Sequence, residues 1–166
     1  RVVGLMAQPR NEAANENNEG ANVFVHAEIF SGSWNAYMAA LTSLDTLYDL
    51  GCGDGRIVIG AAARGARAVG IDIDPGLIAR CQENARLAGC ADSVEFRVGN
   101  FFQVDLSQAT VVTLYLLTSV NRALRSRLLA LQPGTRLISH SFDMDDWLPD
   151  RMVTVACKQL YLWTVP

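Results

Sequence analysis

From Thr46 to the C-terminus, short β-rich runs alternate with stretches of helical period, and that alternation most narrows the folds open to this chain. Runs rich in Val, Ile, Leu or Tyr occupy residues 46–50, 67–71, 93–98, 111–116 and 135–141, with helical patterns between them. Such a succession predicts an α/β fold with a largely parallel sheet. Two further β-rich runs, 152–156 and 160–165, stand close together at the end and predict an antiparallel hairpin closing one edge of a seven-strand sheet.

Residue types punctuate the helices. The first is expected over 55–64, ended by Gly65 and apolar on most sides through Ile57, Val58, Ile59 and three consecutive alanines, so that it lies flat on the sheet. In the second, Asp74 is the expected N-cap and Pro75 the first helical residue, with Ile78, Cys81, Ala85 and Ala88 inward and Gly89 as the stop. A third, starting near Asn121 and ending at Pro133, turns Leu124, Leu128 and Leu131 inward and Arg122 and Arg125 to solvent. Ahead of the first strand, Trp34, Tyr37, Met38 and Leu41 fall at helical spacing and predict one more helix. The stretch 11–22 has no such periodicity, so 1–33 is expected to be a partly flexible arm and 34–166 one domain.

Residues 49–55, Asp-Leu-Gly-Cys-Gly-Asp-Gly, sit where the first strand gives way to a helix, the place where open α/β sheets bind ligands. Gly51, Cys52 and Gly53 are expected to meet the ligand through backbone atoms. A pyrophosphate loop has the spacing G-x-G-x-x-G, but here the third glycine comes one residue early and Arg56 holds the later position. Asp49 also argues against a polyanion, because a carboxylate beneath one is unfavourable while a carboxylate facing an ammonium or sulfonium is favourable. Asp72 closes the second strand 21 residues after Gly51, the separation of an acid that accepts from ribose hydroxyls. At the third strand's end, Asn100 is positioned to accept from an adenine amino group, with Ile73 and Phe101 enclosing the base. Adenine, ribose and a cationic amino-acid portion together describe S-adenosylmethionine. The competing reading is a set of tight turns in an α/β protein, and Asp74 belongs to that reading as a helix cap.

Composition excludes several classes. A length of 166 residues can bury a core without disulfides or metals. Fourteen basic against seventeen acidic residues give a net charge of −3, which disfavours a nucleic-acid partner. Cys52, Cys81, Cys90 and Cys157 form no C-x-x-C and have no histidine pair nearby, so no metal site is expected and all four read as buried or partly buried thiols. Apolar runs fall short of the roughly 20 residues of a membrane span. The chain starts at Arg1, where a targeting segment could have been trimmed; a cytoplasmic location is expected, and the oligomeric state stays open.

The stretch DLGCGDGRIVIGAAARGARAVGIDIDP resembles the glycine-rich and acidic motifs of class I, seven-strand S-adenosylmethionine-dependent methyltransferases. Taken with TLYLLTSVN, PGTRLISHSFDMDDWLPD and YLWTVP, it is similar to small bacterial relatives of the mitochondrial lysine methyltransferases of ATP synthase c-subunit and adenine nucleotide translocase. The resemblance covers about 47–166. It implies a Rossmann-like three-layer sandwich, and cofactor contact by Asp49, Gly51, Gly53, Asp72 and Asn100, the last in place of a more usual aspartate. Thr118 stands where that group usually has proline.

The expected reaction is an in-line displacement that needs alignment of nucleophile, methyl carbon and sulfur, and no metal. The acceptor pocket is placed over the carboxyl ends of the fourth and fifth strands, near Tyr115, Leu117, Ser119, Asn121, His140, Asp143, Asp146 and Trp147. Tyr115, Asn121 and His140 are the catalytic candidates. Tyr115 reads either as a hydroxyl orienting an amine or as a core side chain, Asn121 as a site residue or a helix cap, and His140 as a general base or a structural histidine. Asp143, Asp145 and Asp146 read as an attractor for a lysine or as a solvated acidic turn. The leading expectation is methyl transfer to a protein lysine; a small-molecule acceptor, a non-catalytic cofactor-binding module and a nicotinamide dehydrogenase are the alternatives.

Overall fold

The structure is a computed structural model that describes residues 40–155 and 157–166. The expected arm, and Trp34, Tyr37 and Met38 of the helix expected ahead of the first strand, lie outside the described residues; Leu41 is buried in the core. Seven strands form one sheet: β1 (Thr46–Leu50), β2 (Arg67–Asp72), β3 (Val94–Val98), β4 (Val111–Leu114), β5 (Arg136–His140), β6 (Arg151–Val155) and β7 (Lys158–Thr164). Their order is β3-β2-β1-β4-β5-β7-β6. The first five run parallel, while β7 pairs antiparallel with both β5 and β6. The C-terminal hairpin thus forms as expected, with β7 docked inside and β6 outermost.

Among the described residues, three α-helices cover the two faces: α1 (Arg56–Ala62), α2 (Pro75–Leu87) and α3 (Thr118–Leu129). Alternation along each strand divides the core. Leu47 and Ala68 pack with Val58 and Ala61 of α1 and Ile78 and Cys81 of α2, while Tyr48, Leu50, Val69 and Ile71 pack with Leu124 and Leu128 of α3. Strand β1 is covered on both faces, which is why four of its five residues are buried, the charged Asp49 among them.

Helix punctuation follows residue type, with three corrections. Asp74 caps α2, its Oδ1 accepting from Gly76 N at 2.7 Å and Leu77 N at 3.3 Å, and Pro75 stands at the first helical position. The inner face of α2 carries Asn84, whereas Ala88 is exposed beyond the helix end. Helix α3 starts at Thr118, so Asn121 lies inside it and is no cap; β4 correspondingly ends at Leu114, leaving Tyr115 outside the strand. The third correction concerns Cys157, which is exposed at the hairpin turn with φ 63°, while Cys52 and Cys81 are buried and Cys90 is half-buried.

The connection leaving β1 runs to β2 on one side, and β4 flanks β1 on the other. A crevice therefore opens beyond the carboxyl ends of β1 and β4, at the point where strand order reverses.

Candidate active site

The loop after β1 is held from two sides. Gly51 N and Cys52 N both donate to Ile71 O, at 2.8 and 3.0 Å, and Gly53 N donates to Asp72 Oδ2 at 3.0 Å. From α2, the Cys81 thiol donates to Gly53 O at 3.1 Å and Asn84 Nδ2 to Asp54 O at 2.9 Å. Gly55, which precedes α1, has φ 81°, and a Cβ there would meet Phe96 at 2.9 Å and Cys81 Sγ at 3.0 Å. Only glycine meets both demands. The latch through Asn84 escaped the sequence reading because an asparagine at a helix position carries no sign of which loop it will meet.

This geometry decides what the loop can hold. An anion cradle needs converging free N–H groups, but those of Gly51, Cys52 and Gly53 are spent on β2. What surrounds the loop instead is carboxylate. Asp49, 2 % exposed, accepts from Thr113 Oγ1 at 2.7 Å. Loss of hydration raises its pKa to about 7 against the Thr113 hydrogen bond, with the nearby charges of Asp54 and Asp72 adding to the rise. Asp54 is bound bidentately by Arg56. Asp72 accepts from Gly53 N through one oxygen and from Asp74 N, at 3.1 Å, through the other, so it anchors the loop as well as closing β2. Beside Gly53, a Cβ would find no atom within 4 Å. A negatively charged, open-mouthed loop suits a cationic ligand, as the sequence suggested.

Next to Asp72, Ile73 is 73 % exposed, an apolar side chain left for a ligand to cover. Across β3, Asn100 Oδ1 accepts from Phe102 N at 3.0 Å and so closes its own turn. Phe101 is half-buried against the α3 side of the core, and its carbonyl accepts from Arg127 Nη1 at 2.7 Å; Phe102, which the sequence reading did not single out, is the more exposed ring of the pair.

Beyond β4 and β5 the catalytic candidates separate into two kinds. Tyr115, 50 % exposed, meets His140 edge-on with ring centroids 4.7 Å apart, and Phe142 lies 6.1 Å from it. His140 is buried at the end of β5, its Nδ1 2.9 Å from Ser141 Oγ; burial, and then the charge of Lys158, lowers its pKa, which favours the neutral ring. Asn121 is fully buried below them. Its Nδ2 donates to Ser139 Oγ at 3.1 Å, Phe142 O at 3.2 Å and Asp143 O at 3.0 Å, which pins the loop after β5 onto α3. Its Oδ1 has no partner among the described residues.

The acidic loop is a solvated turn, as one of the two sequence readings had it, with Asp145 and Asp146 exposed and each paired to an arginine. Asp145 pairs with Arg122 at 3.0 Å, and Asp146 with Arg125, whose guanidinium lies 5.9 Å above the Trp147 ring. The arginines expected to face solvent therefore neutralise two of the three acids. Asp143 Oδ1 accepts from Thr118 Oγ1 at 3.1 Å, so the hydroxyl at the position where proline is usual ties α3 to this loop. Leu117 and Ser119 are exposed nearby.

Residues 49–151 match the family described as the ANTKMT methyltransferase domain. A protein-lysine N-methyltransferase of Saccharolobus islandicus is 43 % identical over 71 % of this chain and 75 % of its own length. The adenine nucleotide translocase lysine N-methyltransferase of Mus musculus is 33 % identical over 72 % of this chain, which spans 53 % of the mouse protein. Among solved structures, an RNA methyltransferase from Salinibacter ruber in complex with S-adenosyl-L-homocysteine superposes with a TM-score of 0.74 at 49 % identity, covering 88 % of this chain and 91 % of that one.

Proposed function

The chain belongs to the ANTKMT methyltransferase domain family, and on that premise we propose that it transfers the methyl group of S-adenosylmethionine to the side-chain amine of a protein lysine. The donor side rests on one observation: a loop at the switch point whose N–H groups are spent inside the protein and beside which Asp49 and Asp72 stand, Asp54 being paired with Arg56. When bound, S-adenosylmethionine supplies an electrophilic methyl group on a cationic sulfur. Asp49, Asp72 and the open side of Gly53 are the residues that would hold it, with Ile73 covering its apolar part.

The acceptor side rests on the lysine-modifying relatives and on the chemistry beyond β4 and β5. A lysine must lose its proton before it can attack, and a site that surrounded it with unpaired carboxylates would hold that proton on. Here Asp145 and Asp146 are already neutralised by arginine, and neutral His140 adds no opposing charge. Tyr115, Phe142 and the pinned loop orient and partly enclose the amine, which is the main demand of an in-line displacement.

RNA is the second reading, because the Salinibacter ruber relative is described as acting on it. Against it stand the net charge of −3 and the engagement of Arg122, Arg125 and Arg127 by protein groups. Incubation with methyl-labelled donor and a cell lysate, followed by separate protease and nuclease digestion, decides between them. Label released as methylated lysine supports the proposal. Label lost to nuclease and retained through protease refutes it.

A further inference from the structure

The ring cluster at the ends of β4 and β5 is built more firmly than hydrophobic packing requires. Ser141 follows His140 with φ 65°, a costly conformation for a residue with a side chain, and this turn leads directly into Phe142. Phe142 O is then held twice, by Ser139 Oγ at 2.6 Å and by Asn121 Nδ2 at 3.2 Å. The Phe142 backbone is thereby fixed beside Tyr115, whose ring His140 braces edge-on. Tyr115 remains half exposed on this rigid support.

A cationic acceptor needs something electronegative here. Asp145 and Asp146 are neutralised by Arg122 and Arg125, and Asp143 turns Oδ1 to Thr118 and to Asp145 N. Ring faces carry negative potential without the strong hold on a proton that a carboxylate has, so they bind an ammonium yet let it deprotonate. They also bind an alkylated ammonium that has no N–H left to donate.

We propose that Tyr115 and Phe142 form the seat of the acceptor's ammonium group, holding it through the faces of their rings rather than through the Tyr115 hydroxyl. The proposal rests on the reading of the acceptor as an amine. It assigns Phe142 a role that no sequence pattern suggested.

The test uses the whole chain saturated with S-adenosylhomocysteine and two calorimetric probes: the Nα-acetyl amide of Nε-trimethyllysine, and its uncharged isostere with carbon in place of the quaternary nitrogen. The charged probe is expected to bind roughly 3- to 30-fold more tightly. Tyr115→Phe should keep that preference, whereas Tyr115→Leu and, independently, Phe142→Leu should abolish it. Equal binding of the two probes to the wild-type protein overturns the proposal, as does loss of the preference in Tyr115→Phe. Neither probe can accept a methyl group, so the outcome does not depend on turnover. Protein-lysine labelling without charge preference removes the seat and leaves the acceptor reading standing; charge preference with label entering only RNA does the reverse.

Discussion

Replacing Asp49 by Asn should make the ligand-free protein more stable above neutral pH, and should shift stability in the variant's favour progressively as pH rises. Asp49 is raised from 3.8 to about 7 because folding strips its water, and Asp54 and Asp72 add their repulsion. A carboxyl whose folded pKa lies above its unfolded one contributes stability that is fully present below the unfolded value and is lost as pH rises through the folded value. From these two pKa values, burying Asp49 costs the fold about 4 kcal/mol at pH 8, where the buried carboxyl is ionised, and about 2 kcal/mol at pH 5, where folding must protonate it. Asn keeps an acceptor for Thr113 Oγ1 but buries an extra N–H pair, a cost of about 1–3 kcal/mol that does not vary with pH. The difference between the two pH values is therefore the informative quantity. Urea denaturation of both proteins should show the variant gaining about 2–3 kcal/mol relative to wild type between pH 5 and pH 8. A gap that is flat with pH to within about 0.5 kcal/mol would mean that Asp49 is not held at a cost. The same strain serves binding: a cationic donor relieves it, so the variant should lose donor affinity far more at pH 8 than at pH 6.

Asp72→Ala should weaken donor binding by roughly 10- to 150-fold, the value of a charge-assisted hydrogen bond, and unchanged affinity in calorimetry would remove Asp72 from the site. Gly55→Ala should destabilise the fold by about 2 kcal/mol or more, because φ 81° and the Phe96 contact oppose a Cβ together; a loss below about 1 kcal/mol in denaturation would contradict the packing. Asn121→Ala removes three hydrogen bonds and should cost about 2–4 kcal/mol, with Asn121→Ser recovering little, as measured by thermal unfolding. His140 has a lowered pKa, so the stability it supports is present above its unfolded value near 6.5 and is lost as pH falls through the folded value. His140→Gln should flatten the decline in Tm below that pH, and an unaltered profile would argue against a buried neutral ring.

The donor half of the site was legible because its constraints are local. Gly51, Gly53 and Gly55 mark a backbone path that few other residues can follow, and Asp49 and Asp72 stand at the ends of strands that their own composition announces. The acceptor half was harder. Tyr115 and His140 could be placed at strand ends, but their 4.7 Å contact joins segments 25 residues apart and was invisible in either one alone. Phe142 was not singled out in the sequence, and Asp145 and Asp146 looked like open charge until α3 brought arginines to them.

The sequence by itself determined the α/β alternation, the strands, the capped second helix and the acidic character of the ligand loop, which suits a cationic ligand. Each of these follows from residues a few positions apart, whose steric and hydrogen-bonding preferences act along the chain. Tertiary structure alone decided where the loop's N–H groups go, which acids keep an unbalanced charge, and that Asn121 serves as a clamp inside a helix. Those outcomes depend on which distant groups arrive at hydrogen-bond distance, and burial then changes what the groups do. Asp49 is an ordinary aspartate in the sequence; enclosed between β2 and β4 it becomes one that titrates near neutrality.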